Sequence, residues 1–279
     1  MKPSLPMWES LTLLFSATLL QGCLSSSINQ SKYTKNLNPE TDNSTLPVAE
    51  IAKQVTVRIF TEPGSGSGVI VARQNQTYTV LTCQHVITHT QNHRYSILSV
   101  DGKIHQARLK PMHKLLGLDL ALVEFDSKNN YQVVKLGDSK SLTVNTPIFA
   151  AGFPNYHLIN QNKIEDTRHW GTKAFRLTTG KVMMLLTDKS LPEGYRLGYT
   201  NEVEVGMSGG PVLNKTGELV GINGRLKYPL QGINIFTFTD GSKPSQKIFE
   251  QMEALSWAIP IAIFQQSAAD FSQAEKEEL

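Results

Sequence analysis

The sequence predicts an all-β protein built from many short strands. Short apolar runs, many with period-two alternation, recur along most of the chain. Turn residues separate them, notably Asp101-Gly102 and the run NKTG at 214–217, which are typical of hairpins. Helical periodicity is confined to two stretches, 49–54 and 245–255. A double β-barrel or a sandwich of about 200 residues accommodates this pattern.

The predicted strands begin shortly after the first helical stretch and continue to the second. They are 55–60, 68–72, 78–82, 95–100, 104–109, 119–125, 147–151, 175–178, 182–187, 195–200, 211–214, 219–223 and 233–238. No internal repeat of fixed period is present in the sequence.

Composition and charge exclude several classes of protein. The chain has 279 residues, of which 40% are hydrophobic and 18% charged, so a wholly disordered, collagen-like or coiled-coil chain is excluded, as is a polytopic membrane protein. The net charge is +3 and the basic residues are scattered, which predicts no nucleic-acid partner. Two cysteines, Cys23 and Cys83, lie outside any zinc-binding spacing, so no metal or other cofactor is expected.

The first residues resemble an export signal. An apolar run at 11–20 is too short to span a membrane and is typical of a secretory signal peptide. The sequence LQGC at 20–23 resembles a bacterial lipobox, which predicts that residues 1–23 are a signal peptide and that Cys23 carries lipid. The alternative is cleavage after another small residue, with Cys23 lost or left as a plain thiol.

Polar segments are expected at both ends of the folded domain. Residues 24–47 are rich in Ser, Asn, Thr and Lys and predict a tether, while 266–279 predict a polar C-terminal tail. The expected location is the periplasm or cell envelope, with a lipid anchor as the contact to the membrane.

The strongest local signal for chemistry is the segment 205–211, VGMSGGP. A serine hydroxyl becomes a nucleophile only when a base lies within hydrogen-bond reach and donors await the oxyanion. The glycines beside Ser208 allow the backbone to bend, so that the amides of Gly206 and Ser208 converge on one point. Alone, such a Gly-rich segment also fits a plain β-turn.

Two further residues complete a catalytic pattern. His85 follows an apolar strand, and Asp119 lies among aliphatic residues, where a carboxylate needs a polar or cationic partner. A carboxylate that holds one imidazole nitrogen leaves the other free to accept the serine proton. The order His85, Asp119, Ser208 is that of chymotrypsin-type proteases.

Four motifs carry a family resemblance. GSGVIV at 66–71, LTCQHV at 81–86, LDLAL at 118–122 and GMSGGP at 206–211 resemble the signature blocks of trypsin-like serine endopeptidases, in the bacterial Deg-like or HtrA-like branch. The resemblance implies a chymotrypsin-like double six-stranded antiparallel β-barrel with a few short helices over residues 48–265. It also implies protein or peptide substrates cleaved through an acyl-enzyme.

Two departures from that family narrow the expectation. The residue before the nucleophile is Met207, where digestive trypsins have an aspartate that pairs with a newly cut N-terminus, so activity without that cleavage is expected. The 19 residues after Pro260 are too few for a PDZ domain, so none is expected. The oligomeric state stays open.

Substrate preference is predicted from the resemblance alone. The position six residues before Ser208 forms the floor of the specificity pocket in trypsin-like proteases, and here it is Glu202. A carboxylate there favours Lys or Arg before the scissile bond, whereas Arg225 is a wall residue able to neutralise it. The alternative is that Glu202 faces solvent, as acidic residues usually do.

Two other functions compete with a protease. A catalytically silent protease fold used as a binding module keeps the same architecture without the reaction. The motif Gly-x-Ser-x-Gly also fits an α/β-hydrolase esterase, in which the histidine follows the serine. No histidine follows Ser208 in the sequence, and Pro211 opposes the helix that an esterase requires there.

Overall fold

Two closed antiparallel β-barrels of six strands each form the protein. The structure, a computed structural model, describes residues 45–62, 64–88, 94–112, 115–160 and 163–268. Within these residues no helix is both long and apolar enough to cross a membrane. The predicted chymotrypsin-like double barrel is confirmed.

The first barrel uses strands in the order β1-β2-β3-β6-β5-β4. The strands are β1 (Thr56–Phe60), β2 (Ser65–Gln74), β3 (Thr77–Thr82), β4 (Tyr95–Leu98), β5 (Ile104–Lys110) and β6 (Ala121–Asp126). Pairing of β1 with both β2 and β4 closes the barrel. Alternate residues such as Val57, Ile59, Val80 and Val123 fill its interior, as the pleat of a strand requires.

The second barrel uses the order β10-β11-β14-β13-β12-β7, and a separate two-stranded hairpin lies outside it. Its strands and the hairpin strands, in chain order, are β7 (Pro147–Gly152), β8 (Tyr156–Asn160), β9 (Lys163–Asp166), β10 (Arg176–Leu185), β11 (Leu197–Tyr199), β12 (Pro211–Leu213), β13 (Leu219–Arg225) and β14 (Ser256–Pro260). The hairpin is formed by β8 and β9.

Short helices cover the barrels. They are α1 (Thr45–Val55), α2 (Gln84–Ile87), α3 (Gln246–Glu253) and α4 (residues 261–268). The side chain of Ser245 accepts a hydrogen bond from the Ile248 amide and caps α3. Although α1 precedes the first barrel, its residues Val48, Ala52 and Val55 pack in a core cluster with Leu213 and Leu219 of the second.

The structure corrects several strand predictions. The expected strand 233–238 is a 3-10 helix, Gly232–Phe236, followed by irregular chain. Ile233 and Ile235 are spaced as alternate residues of a strand would be. Gly232, however, has φ of +57° and begins a 3-10 turn. The stretches 175–178 and 182–187 form one continuous strand, β10, and the hairpin β8–β9 and strand β14 were not predicted.

The predicted boundaries fall partly outside the described residues. The signal peptide at 1–23, with Cys23, and most of the tether at 24–47 lie there, as does most of the tail at 266–279. Where the structure does describe the chain, α1 begins at Thr45, inside the expected tether, and α4 runs to residue 268, beyond the expected domain boundary at 265.

Candidate active site

His85 and Asp119 meet because β3 and β6 are neighbours in the first barrel. Thr82 pairs with Ala121 at the ends of these strands, His85 follows in α2, and Asp119 precedes β6. The imidazole Nδ1 lies 2.6 Å from Asp119 Oδ2, and the His85 amide donates a 2.8 Å hydrogen bond to Oδ1. Both carboxylate oxygens are therefore held by one residue.

Asp119 is charged and His85 is accessible. The Asp119 side chain is 6% exposed and that of His85 is 47% exposed. Burial alone raises the pKa of Asp119, but hydrogen bonds from His85 and from Tyr195 outweigh it and leave the pKa below its ordinary value. Since Asp119 is ionised at neutral pH, His85 Nδ1 carries the proton and Nε2 is free to act as a base.

Ser208 lies in the loop between β11 and β12 and lines the same cleft as His85. Its carbonyl accepts a 2.8 Å hydrogen bond from the Ser67 amide of β2, which ties the loop to the first barrel. Its hydroxyl donates to the Gly224 carbonyl at 3.3 Å, and the hydrogen bonds of the described chain include none from this hydroxyl to His85.

The amides of Gly206 and Ser208 are oriented through the carbonyls of their own peptide units. In a trans peptide the N–H points opposite to the C=O, so fixing one fixes the other. The Val205 carbonyl accepts a 2.7 Å hydrogen bond from the Asn155 amide, and the Met207 carbonyl accepts one of 2.9 Å from the Asn223 side chain. Among the described residues neither the Gly206 amide nor the Ser208 amide has a backbone acceptor, so both donors are available.

Glycine is required at position 206. Its φ is +100°, and a Cβ there would lie 2.6 Å from both Asn155 Oδ1 and the Phe153 carbonyl oxygen. Glycine adopts positive φ without steric cost, so the residue allows the tight approach that aims the Gly206 amide.

A buried arginine supports this loop from the first barrel. Arg58 of β1 is fully buried, and its guanidinium donates to the Thr167 carbonyl at 2.9 Å and to Asn155 Oδ1 at 3.2 Å. Burial lowers the Arg58 pKa to about 10, which leaves it charged at neutral pH. The Asn155 backbone amide in turn holds the Val205 carbonyl, so the loop that carries Gly206 and Ser208 depends on a contact between the barrels.

The cleft beside Ser208 has a volume of about 310 Å³ and mostly apolar walls. Val86, Val205 and Leu226 contribute its aliphatic side chains, and none of the described lining residues is acidic. A basic side chain in the cleft meets no carboxylate among these described lining residues.

The structure does not place Glu202 at the floor of this cleft. The Glu202 side chain is 79% exposed and forms an ion pair with Lys227. Arg225 does not neutralise it, because its guanidinium pairs with Glu193 at 3.2 Å and donates to the Ile235 carbonyl. Glu202 therefore faces solvent beside Lys227, as the alternative expected, and its part in substrate preference stays a prediction.

Four residues at the site escaped the sequence analysis: Arg58, Asn155, Tyr195 and Asn223. One signal existed for Arg58, a basic residue between Val57 and Ile59 in an otherwise apolar strand. The other three are polar residues whose roles depend on contacts between distant parts of the chain.

One group of side chains near the site has atoms close enough to suggest a metal. Cys83, His85 and Asp119 each place one potential ligand atom within 4.8 Å of the others. Burial, with the nearby Asp119 charge, raises the pKa of Cys83 well above its ordinary value, so the thiol keeps its proton. Its Sγ donates to the Asn223 carbonyl, and His85 Nδ1 is bonded to Asp119, so this set does not fit a metal ion.

Two closed barrels that bring a histidine–aspartate pair and a serine to one cleft define the chymotrypsin-like class. A sequence model of the trypsin-like peptidase domain matches residues 66–222, more than half of the chain. The chain belongs to the trypsin-like peptidase domain family.

Curated relatives are HtrA and Do-like serine proteases. The chain is 27% identical to the serine protease Do-like HtrA of Bacillus subtilis over 167 residues, covering 58% of this chain and 34% of the relative. It is 26% identical to the serine protease HtrA-like of Staphylococcus haemolyticus over 249 residues, covering 82% and 36%. With the serine protease HTRA1 of Xenopus laevis the identity is 30% over 161 residues, covering 57% and 31%. The chain spans about a third of the length of these relatives.

Proposed function

We propose that the chain is a serine endopeptidase that hydrolyses peptide bonds through an acyl-enzyme. The observation that carries the proposal is the cleft shared by His85, Ser208 and the amides of Gly206 and Ser208, which have no backbone acceptor among the described residues. The trypsin-like family and the HtrA-like relatives agree with it.

In the proposed reaction His85 Nε2 takes the proton of Ser208 Oγ as the oxygen attacks the substrate carbonyl. The carbonyl oxygen gains negative charge and accepts hydrogen bonds from the Gly206 and Ser208 amides. The imidazolium, stabilised by Asp119, returns the proton to the departing amine as the C–N bond breaks. Water activated by the same imidazole then cleaves the ester and restores the serine.

A fluorophosphonate probe tests the nucleophile directly. We expect the full chain to be labelled at Ser208, with labelling abolished by Ser208→Ala and kept by the control Ser141→Ala, at an exposed serine. Absence of labelling in the unchanged chain at all pH values, or equal labelling of Ser208→Ala, would contradict the proposal.

One observation favours a second candidate, a catalytically silent binding module. The Ser208 hydroxyl bonds to Gly224 and not to His85. In free proteases the catalytic hydrogen bonds are often loose and tighten when substrate binds, so this geometry is compatible with either function. A chain that binds peptides in the cleft but does not react with the probe would be such a module.

We infer that the residue before the scissile bond is apolar. The support is the aliphatic lining by Val86, Val205 and Leu226, together with the exposure of Glu202. Burial of an aliphatic side chain in such a cleft contributes about 1.5–3 kcal/mol, which no buried charge opposes here.

Export and lipid attachment at Cys23 form a separate part of the proposal. Support comes from the apolar run at 11–20 and the lipobox-like LQGC at 20–23, which together predict a periplasmic or cell-envelope protein held at the membrane. In a bacterial host we expect incorporation of labelled palmitate, lost in Cys23→Ser and kept in the matched control Cys83→Ser. Labelling that persists in Cys23→Ser would contradict it.

A further inference from the structure

Tyr195, a residue of the second barrel, reaches the Asp119 carboxylate of the first. It lies two residues before β11, is 1% exposed, and donates its hydroxyl hydrogen to Asp119 Oδ2. The same oxygen accepts the bond from His85 Nδ1 at 2.6 Å. Asp119 thus has two donors from His85 and a third from a different barrel.

The backbone beside Tyr195 holds the same aspartate. The Asp119 amide donates a 3.0 Å hydrogen bond to the Glu193 carbonyl, and the Leu191 amide donates one of 3.0 Å to the Tyr195 carbonyl. Glu193 and Gly194 both have positive φ, +67° and +92°, which turns the chain sharply between these contacts. The segment 191–195 therefore fixes Asp119 by its main chain as well as by the phenol.

The position of the phenol depends on Gly224. A Cβ built at Gly224 would collide with the hydroxyl oxygen of Tyr195. Gly224 also lines the cleft, and its carbonyl accepts the Ser208 hydroxyl at 3.3 Å. The phenol occupies the space that a side chain at position 224 would take, directly behind the backbone that borders Ser208.

Arg225 holds the ring from its face. The guanidinium carbon lies 4.3 Å from the centre of the Tyr195 ring, a cation–π contact. Hydrogen bonds from this guanidinium to the Pro192 carbonyl and Glu193 Oε2, each of 3.2 Å, tie it to the same segment. The ring has little freedom to leave Asp119.

We propose that Tyr195 is a positioning residue of the catalytic site, whose hydroxyl holds Asp119, and through it His85, in the geometry needed to accept the serine proton. The inference rests on the proposed endopeptidase function. Tyr195 touches neither the substrate nor the reacting atoms and acts through the carboxylate.

The hydrogen bond from the Tyr195 hydroxyl also disperses the negative charge of the Asp119 oxygen that faces His85. Among the described residues, the ionisable groups near the Asp119 carboxylate are His85, Cys83 and Tyr195, with Arg225 and Glu193 behind the ring. Burial raises the pKa of Cys83 and of Tyr195 well above their ordinary values, so both stay neutral. Removing the hydroxyl leaves more negative charge on the oxygen that faces His85, which stabilises the imidazolium.

The variant Tyr195→Phe tests the role, with Tyr78→Phe as the matched control. Tyr78 is an equally buried tyrosine of the first barrel whose hydroxyl donates to the Asn129 carbonyl. We expect Tyr195→Phe to slow fluorophosphonate labelling by on the order of tenfold, as loss of one hydrogen bond to a charged group implies. Peptide KM stays unchanged, and the acid limb of the pH–rate profile moves to higher pH.

A second readout does not need activity. In histidine-labelled protein the His85 signal, assigned by its loss in His85→Gln, should titrate at higher pH in Tyr195→Phe than in the unchanged chain or in Tyr78→Phe. Equal labelling rates and equal His85 titration in Tyr195→Phe and the unchanged chain would overturn the proposal.

Failure of the endopeptidase proposal looks different, because the unchanged chain would then not be labelled while the His85 titration still reports the Tyr195 contact. If Tyr195→Phe does not fold, Gly224→Ala takes its place, since the added methyl group displaces the same hydroxyl. The same shift in His85 titration supports the proposal, and its absence contradicts it.

Discussion

The side-chain amide of Asn223 donates a 2.9 Å hydrogen bond to the Met207 carbonyl, and through that peptide unit it determines where the Ser208 amide points. The Asn223 side chain is itself held, because its Oδ1 accepts a 2.6 Å hydrogen bond from the Tyr199 hydroxyl. In digestive trypsins an ion pair made by the residue before the nucleophile orders this loop, whereas here neutral hydrogen bonds do so.

Replacing Asn223 should therefore impair catalysis more than binding. We expect Asn223→Leu to lower kcat for a peptide substrate by on the order of tenfold, with little change in KM. The loss of kcat is limited because the Gly210 amide still donates a 3.0 Å hydrogen bond to the Met207 carbonyl. Asn214→Ala is the control, because the Asn214 side chain bonds only within the turn between β12 and β13 among the described residues. A rise in KM with kcat unchanged would contradict this account.

A methyl group at position 206 should disable the oxyanion amides. Gly206→Ala places a Cβ 2.6 Å from Asn155 Oδ1 at a φ of +100°, so the Val205–Gly206 peptide must move. We expect probe labelling to fall by 10²–10³-fold, an order-of-magnitude value for loss of one oxyanion donor. Gly102→Ala is the matched control, since φ there is also positive, +80°, but nothing lies within 4 Å of the added atom. Retained labelling in Gly206→Ala would exclude the proposed role.

Arg58 should contribute much more to the unfolding free energy than an exposed arginine does. Arg58→Ala removes a fully buried side chain together with its hydrogen bonds to Pro154, Asn155 and Thr167, so we expect a loss of about 2–5 kcal/mol of unfolding free energy. Arg73→Ala, at an exposed position, should cost about 0.5 kcal/mol or less. Urea denaturation followed by tryptophan fluorescence measures the unfolding free energy of both variants. Equal losses in Arg58→Ala and Arg73→Ala would show that the buried hydrogen bonds of Arg58 do not add to stability.

Asp101 should make stability depend on pH at the acid end. Burial raises its pKa, but hydrogen bonds from Ser99 and Asn129 outweigh this and lower it to about 2. Because the folded pKa lies below the unfolded one, the stabilisation is present above pH of about 4 and is lost as pH falls towards about 2.

The variant Asp101→Asn isolates that contribution. At pH 7 we expect it to be about 1–2 kcal/mol less stable than the unchanged chain, a value discounted because the Asp101 side chain is 31% exposed. The difference should shrink towards pH 2. Asp188→Asn, at an exposed aspartate, is the control. A difference that persists undiminished at pH 2 would show that the effect is not electrostatic.

Cleavage preference should be insensitive to Glu202. Glu202→Gln removes a carboxylate that lies on the surface beside Lys227, so a peptide-library profile should keep its preference for apolar residues before the cut. Leu226→Phe, which narrows the cleft, should shift that preference to smaller side chains. A preference for Lys or Arg that disappears in Glu202→Gln would restore the original assignment of Glu202.

The proposed catalytic residues were predictable because each lies in a short motif with its own local signature. His85 ends an apolar strand, Asp119 begins one, and Ser208 lies in a Gly-rich turn, so chain order alone suggested a triad. The residues that support them carry no such signature. Tyr195 and Asp119 are 76 positions apart, and Asn155 and Arg58 are 97 apart.

Strand prediction succeeded where apolar and polar residues alternate along the sequence and failed where this pattern and the backbone conformation disagree. The pattern of β1 and β3 was predictable because Val57 and Ile59, and likewise Tyr78 and Val80, alternate with polar residues. Ile233 and Ile235 show the same alternation, yet the positive φ of Gly232 starts a 3-10 turn there. The hairpin β8–β9 exposes Leu158 and Ile164, so hydrophobicity gave no guide to its position.

Helix α1 is synthesised before either barrel but buries Val48, Ala52 and Val55 against Leu213 and Leu219, residues made near the end of the chain. Gly217, in the turn between β12 and β13, has no side chain at the point where Ile51 lies against it. On the ribosome the apolar face of α1 therefore lacks these partners until one complete barrel and most of the other have been synthesised. The first helix that the structure describes is therefore among the last elements to reach its native contacts, and its apolar face stays exposed until then.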